Sequence, residues 1–246
     1  MFNSNRIIAH RGIYDNIKVY ENTIEAFKLA IEKDYIIEID VHLTKDNQLI
    51  VYHDYNTKRL LKTNLIIEES TYKELNKENL IHIPTLEEVL KLVHSKVPLL
   101  IEIKQPSTVG KLETELMNIL NKYKGQYAIQ SFNPKTIYWF KKNYPNILRG
   151  QLSCKYYGKK INKIEKYILS NMLFNIITKP NFISYKYDEL SINKINKYKR
   201  KGLKVLGWTI KTKKDYNKYI KYYDNLICEK FIYKDYQFNN NYDILE

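Results

Sequence analysis

The sequence predicts an α/β protein, a (β/α)8 TIM barrel, and three observations carry that prediction. Eight short β-type runs are spaced along the chain, each of the first seven followed by a stretch of helical periodicity. No Pro/Gly/Ser-rich seam divides the 246 residues, a length ordinary for one such barrel, so 1–246 reads as a single domain. Ionisable residues gather at the ends of the apolar runs, where barrel enzymes keep their chemistry. A doubly wound open sheet is the rival arrangement.

The elements follow in order. RIIAH is the first strand, and ENTIEAFKLAIEK the first helix, with Asn22 or Thr23 as its side-chain cap. YIIEIDV is the second strand. It runs on into LTKDNQLIVYHD, a strand-turn-strand with its turn at Lys45-Asp46-Asn47. A polar stretch of weak pattern, about 54–83, reads as a short insertion after this hairpin; long excursions of this kind usually carry function. PTLEEVLKLVHS then starts at Thr85 behind Pro84 and leads into the strand PLLIEIK. The helix GKLETELMNILNKY, the strand YAIQSF and the helix NPKTIYWFKKNY come next, the last opening on Asn133-Pro134. ILRGQLS, INKIEKYILSNML, NFISYK, LSINKINKYKRKG, LKVLGWTI, KKDYNKYIKYY and NLICEKF complete the alternation, and the Asn-rich tail NNNYDILE reads as frayed.

Composition bounds the function. Lys+Arg of 41 against Asp+Glu of 27 leaves a net charge of +14, a field that attracts anions. The lysines are spread along the chain with no basic block, so a lysine-rich composition accounts for the same balance. Cys154 and Cys228 stand far apart without metal-binding spacing, which removes a zinc site and a disulfide framework and fits a reducing, cytoplasmic setting. The N-terminus lacks a signal-peptide core, and no apolar run reaches the ~20 residues that cross a bilayer.

The strand ends hold the candidate chemistry. Glu38 and Asp40 are two apart, so on a strand both point to one face, and Glu102 and Lys104 repeat the pattern. Carboxylates pushed together resist ionising unless a cation sits between them. Three of them from neighbouring strands form an oxygen-rich site for Mg²⁺ or Ca²⁺. A salt bridge from Lys104 to Glu38 or Asp40 is the competing structural reading. His10 and His53 each end an apolar run and are followed by a charged residue, as base and acid of one displacement would be. His42, in the turn towards the hairpin, and His82 and His94, near loop or helix ends, read as solvated or structural. With Arg11 and Lys104 beside the histidines, the reacting centre is anionic, and phosphate fits best.

At this point the chain resembles the glycerophosphodiester phosphodiesterases. The motifs His10-Arg11-Gly12, Glu21-Asn22-Thr23, Glu38-Ile39-Asp40-Val41, Thr44-x-Asp46, His53-Asp54, Pro84-Thr85-Leu86-Glu87-Glu88 and Glu102-Ile103-Lys104 occur in that family's order. Gln130-Ser131-Phe132-Asn133-Pro134 and Trp208-Thr209 extend the match more weakly. The resemblance implies a (β/α)8 barrel with one Mg²⁺ or Ca²⁺ on Glu38, Asp40 and Glu102, and acid-base catalysis by His10 and His53. It also implies substrate contacts from Arg11, Lys104, Glu21 and Trp208, and a small-molecule glycerophosphodiester as substrate. The chain departs from the family in having Tyr20 before Glu21, Lys211 where an Asn is usual, and no Asp-x-Pro turn after the last strand.

Two rivals come from other classes. A phospholipase D-like relative would act on lysophospholipids at a membrane surface, with Leu60-Leu61 and Leu65-Ile66-Ile67 as its apolar loop. A basic nucleic-acid-binding protein would account for the charge and the 23 tyrosines, but no recognition motif or compact basic stripe supports it, and no nucleic acid is expected.

Overall fold

The computed structural model describes residues 6–77, 81–104, 108–158 and 160–242, without the side chains of 238–242. The first half of the chain runs β1 (Ile8–His10), α1 (Ile24–Glu32), β2 (Ile36–Leu43), β3 (Leu49–Val51), α2 (Lys58–Leu61), a 3₁₀ turn (Ile67–Glu69), α3 (Tyr72–Leu75), α4 (Leu86–Val93), β4 (Leu99–Ile103), α5 (Lys111–Leu120) and β5 (Tyr127–Ser131). The second half runs α6 (Pro134–Asn143), β6 (Arg149–Ser153), α7 (Lys163–Ser170), α8 (Asn175–Thr178), β7 (Phe182–Lys186), α9 (Ile192–Arg200), β8 (Lys204–Ile210), α10 (Lys213–Tyr219), β9 (Asn225–Cys228) and α11 (Phe231–Tyr242).

The sheet order is β1-β9-β8-β7-β6-β5-β4-β2-β3, and β1 also pairs with β2. All pairings are parallel except β2 with β3, so eight strands close on themselves and β3 hangs on β2 as an antiparallel hairpin arm. Closure settles the fold as the (β/α)8 barrel over the open sheet.

Period-two alternation sorts the strand residues. Ile8, Ile36, Leu100, Ala128, Phe182, Leu206 and Ile227 form one buried cluster, the filling of the barrel. Their neighbours Ala9, Ile37, Ile101, Ile129, Ile183, Val205 and Leu226 belong to the outer core beneath the helices. A Cβ on Gly150 would come within 2.0 Å of the Phe182 ring, so the bulk of Phe182 requires a residue without a side chain on β6.

The helix starts follow their caps. Thr23 accepts from Ala26 N–H, Asn133 accepts from Lys135 N–H ahead of Pro134, and Thr85 forms a reciprocal capping box with Glu88. The stretch after the hairpin has its own small core, where Ile67, Leu75 and Ile83 pack with Ile50 and Tyr52 of the hairpin arm. Leu60, Leu61 and Leu65 lean on that core, which leaves Ile66 as the one exposed member of the proposed apolar loop. Two expectations need correction. His42 lies within β2 and is buried, because the strand extends to Leu43. The tail continues α11 as far as Tyr242, and 243–246 lie outside the described residues. No helix among the described residues is long and apolar enough to cross a membrane.

Candidate active site

The alternation that places Ile8, Ile36 and Leu100 inside the barrel carries on towards the C-terminal strand ends. There the same face presents His10, then Glu38 and Asp40, then Glu102 and Lys104. Hydrogen-bond register sets His10 opposite Glu38 and Asp40 opposite Glu102. Ligand oxygens of Glu38, Asp40 and Glu102 lie within 4.8 Å of one another, and all three side chains are buried.

Gly12 explains how the loop after β1 reaches this cluster. Its φ is +85°, and a Cβ there would meet the Ala26 backbone at 2.8 Å. Arg11, itself at φ 60°, turns its guanidinium back over the barrel mouth. Arg11 Nε lies 3.3 Å from Asp40 Oδ2, and its Nη1 donates to Glu21 Oε1 at 2.7 Å. The Arg11 backbone N–H also donates to Glu38 Oε2 at 3.2 Å.

Charge balance within the cluster is uneven. Lys104 Nζ donates to Asp40 Oδ1 at 3.2 Å and to Glu102 Oε1 at 2.9 Å, while Asn22 Nδ2 donates to Asp40 Oδ2 at 2.9 Å. Burial acts to raise the Asp40 carboxyl, but Lys104, His53 and Arg11 override it and hold Asp40 well below the usual carboxylate range. Glu38 has the opposite fate: burial first, then Asp40 and Glu102, push it well above its ordinary value. So Lys104 makes the competing salt bridge to Asp40, and the carboxylates still outnumber the cations beside them. Glu38 is the group left short of positive charge. Three buried oxygen donors with one unmet negative charge fit a hard divalent cation.

His10 and His53 are each backed by a carboxylate. His10 Nδ1–H donates to Glu229 Oε2 at 2.8 Å, and the Tyr14 hydroxyl donates to the same oxygen at 3.1 Å. Lys211 Nζ sits 3.0 Å from Glu229 Oε1. Burial, reinforced by Arg11, lowers His10 to about 4 against the pull of Glu229, so the ring is neutral near pH 7 with Nε2 unprotonated. His53 Nδ1–H donates to Asp54 Oδ1 at 2.6 Å, and Arg59 Nε donates to Asp54 Oδ2 at 2.7 Å. Behind His53, His42 Nε2 lies 3.4 Å from the His53 carbonyl oxygen, which gives the buried His42 the structural role expected of it.

The remaining candidates divide. Glu21 is buried with both oxygens engaged, Oε1 by Arg11 and Oε2 by Asn16 and Arg59. It braces Arg11 and Arg59. Trp208 stands above the barrel filling, edge-on to Phe132 at 5.6 Å, with its indole N–H buried and unpartnered among the described residues. Reading the strand ends overlooked Glu229, although NLICE ends in a carboxylate just as IIAH ends in an imidazole. Asp54 stood in the motif but received no role, and nothing in the sequence marked Arg59 or Tyr14.

The fold and the site together define a phosphoric diester hydrolase built on a β/α barrel. The model of the glycerophosphoryl diester phosphodiesterase family matches residues 10–234, and this chain belongs to that family, whose members hydrolyse glycerophosphodiesters. Among curated relatives, the glycerophosphodiester phosphodiesterase of Caldanaerobacter subterraneus subsp. tengcongensis is 33% identical over 87% of this chain and 89% of its own. YhdW of Bacillus subtilis strain 168 is 32% identical over 85% of this chain and 87% of its own. Among solved structures, the glycerophosphodiester phosphodiesterase of Thermotoga maritima superposes with a TM-score of 0.72 at 27% identity, covering 92% of this chain and 95% of that one. An Oleispira antarctica phosphodiesterase, solved with its product sn-glycerol 3-phosphate, has the same fold with a TM-score of 0.77 at 19% identity, over 95% and 96% of the two chains.

Proposed function

We propose that this enzyme hydrolyses small glycerophosphodiesters, such as glycerophosphocholine and glycerophosphoethanolamine, to the free alcohol and glycerol 3-phosphate. The observation that carries the reading is the pair of histidine–carboxylate couples, His10–Glu229 and His53–Asp54, at the mouth that holds Glu38, Asp40 and Glu102. β1, which ends in His10, and β3, which runs out two residues before His53, both pair with β2, the strand of Glu38 and Asp40.

Glu38, Asp40 and Glu102 would hold a single Mg²⁺ or Ca²⁺, which when bound supplies positive charge to the non-bridging phosphate oxygens. Arg11 and Lys104, cations anchored within the same mouth, orient the phosphate and offset charge developing on it. Glu21 and Arg59 fix the direction of the Arg11 guanidinium. Glu229 locks His10 in the tautomer with Nδ1 protonated, so Nε2 takes the proton of the attacking water as its oxygen bonds to phosphorus. His53, oriented by Asp54, gives a proton to the alcohol oxygen as the P–O bond breaks. Trp208, half-buried beside Phe132, offers an apolar face to the organic part of the substrate.

The direct test is release of glycerol 3-phosphate from glycerophosphocholine, with lysophosphatidylcholine compared in the same assay. Chelation abolishes turnover and Mg²⁺ or Ca²⁺ restores it. Undiminished activity after exhaustive chelation removes the metal assignment, and failure to release glycerol 3-phosphate with either ion present overturns the substrate.

A further inference from the structure

The surface between β6 and β7 departs from the rest of the outer ring. Every other helix of eight or more residues buries at least one apolar side chain against the barrel, α9 only Ile195, whereas α7, like the shorter α10, buries none. Its Ile164 and Tyr167, one turn apart, are 74% and 63% exposed. Past its end, α8 turns Ile176 (81% exposed) and Ile177 to solvent, and Leu173 and Phe174 are exposed just before it. Seven of the thirteen large apolar side chains exposed among the described residues fall within 157–177. A concentration of this kind on a folded surface marks a contact made with something else.

Charge says what that something is. Residues 155–179 contain six lysines and one acid, Glu165. Two of them fold over a ring of this surface: Lys155 and Lys166 lie 5.8 and 4.8 Å from the Tyr157 ring centre. Lys141 lies 5.8 Å from Tyr138 and donates to the Ile177 carbonyl, tying α6 to α8. Apolar side chains ringed by lysine and tyrosine suit a boundary between hydrocarbon and anionic headgroups. A two-fold contact with a second copy would bring one set of lysines against the other. The segment leaves the barrel at the C-terminal end of β6, the end at which the carboxylate cluster opens.

We propose that the face formed by Tyr157 and residues 160–177 docks this enzyme on an anionic lipid bilayer, with Ile164, Tyr167, Ile176 and Ile177 entering the interface and flanking lysines such as Lys155, Lys163 and Lys166 resting on headgroups.

The test is co-sedimentation of the full chain with vesicles of phosphatidylcholine alone or of equal parts phosphatidylcholine and phosphatidylglycerol. Binding is the readout, so the result stands apart from the assigned substrate. The wild type binds the anionic vesicles at least about ten-fold more tightly than the neutral ones. Ile164→Ser/Ile176→Ser/Ile177→Ser loses about ten-fold or more of that binding while hydrolysing a water-soluble diester at the wild-type rate. Should that variant not fold, Lys163→Glu/Lys166→Glu, changed only at helix-surface lysines, shows the same loss. Charge reversal on another basic helix, Lys197→Glu/Lys201→Glu on and just after α9, changes binding by less than about two-fold. The proposal is overturned if anionic vesicles are not preferred, if the variants of this face bind as the wild type does, or if the α9 variant loses as much. It is overturned as well if the wild type is a dimer by light scattering and the triple variant a monomer, for then a second copy covers the face.

Discussion

The two histidine–carboxylate couples are chemically alike and structurally opposite. His53 and Asp54 are adjacent in the chain, ride on the hairpin, and stay partly open to solvent, with the imidazole side chain 31% exposed. His10 and Glu229 stand 219 residues apart and meet where β9 lies beside β1 to close the barrel; there the His10 side chain is 13% exposed. The first couple depends on local geometry, and the second exists only in the finished fold. Burial follows from this, and with it basicity: His10 is lowered to about 4 by desolvation and Arg11, with Glu229 opposing. Burial works upward on Glu229 itself, yet the bond from His10 and the neighbouring Lys211 hold it well below the ordinary carboxylate range. A carboxylate that stays ionised at all working pH values is a reliable orienter.

The largest expected effect tests whether the couples share one reaction. His10→Ala and His53→Ala should each lower kcat/KM by about 10²–10⁴-fold. If the two act in one step, as proposed, the double variant should be hardly worse than the poorer single one. A p-nitrophenyl diester needs no general acid, so it should rescue His53→Ala and leave His10→Ala inactive. Rescue of both or of neither breaks the division of labour.

Next in size come the orienting carboxylates. Glu229→Gln can turn an amide N–H towards His10 and favour the wrong tautomer, for a loss on the order of 10³-fold in kcat. Asp54→Asn should cost about ten-fold, because the more exposed His53 can recruit water in place of the lost acceptor. Equal losses measured under the same conditions would erase the distinction between a buried and an open couple.

Stability against pH sharpens the comparison further. His10 and His42 both lie at about 4 in the fold, below the ordinary 6.5, with burial as the main cause in each. The unfolded chain therefore takes up those protons first. The contribution of each ring is complete above pH 6.5 and is lost as pH falls from 6.5 towards 4. Each should account for roughly 1–3 kcal/mol over that window. His42→Gln should flatten the pH dependence of the denaturation midpoint there, and a slope identical to the wild type would mean that His42 is not held neutral.

The smallest effect belongs to Lys211, more than half exposed yet paired with Glu229. A salt bridge at such a site contributes little, so Lys211→Met should lower kcat by only about two- to five-fold with KM unchanged, and Lys211→Arg should restore it. A loss as large as that of Glu229→Gln would show that the lysine, and not the carboxylate alone, holds the couple together.

Local periodicities made much of this protein legible. Two-residue alternation put Glu38 with Asp40 and Glu102 with Lys104, because a strand repeats its faces every second residue wherever it is placed. Caps at Thr23, Thr85 and Asn133 marked helix starts for the same reason, since each bond closes within three residues. Apolar runs ending in charge located the mouth. Other features had to wait for the tertiary structure. Glu229 reaches His10 only because eight strands close, Arg59 crosses from the segment after the hairpin to brace Glu21, and His42 is buried because β2 runs past Asp40. The exposure of α7 was equally hidden, for its apolar periodicity matches that of helices packed on the barrel. Sequence spacing determines which side chains share a face, but whether that face meets a partner is decided by strands distant in the chain, whose closure no local pattern encodes.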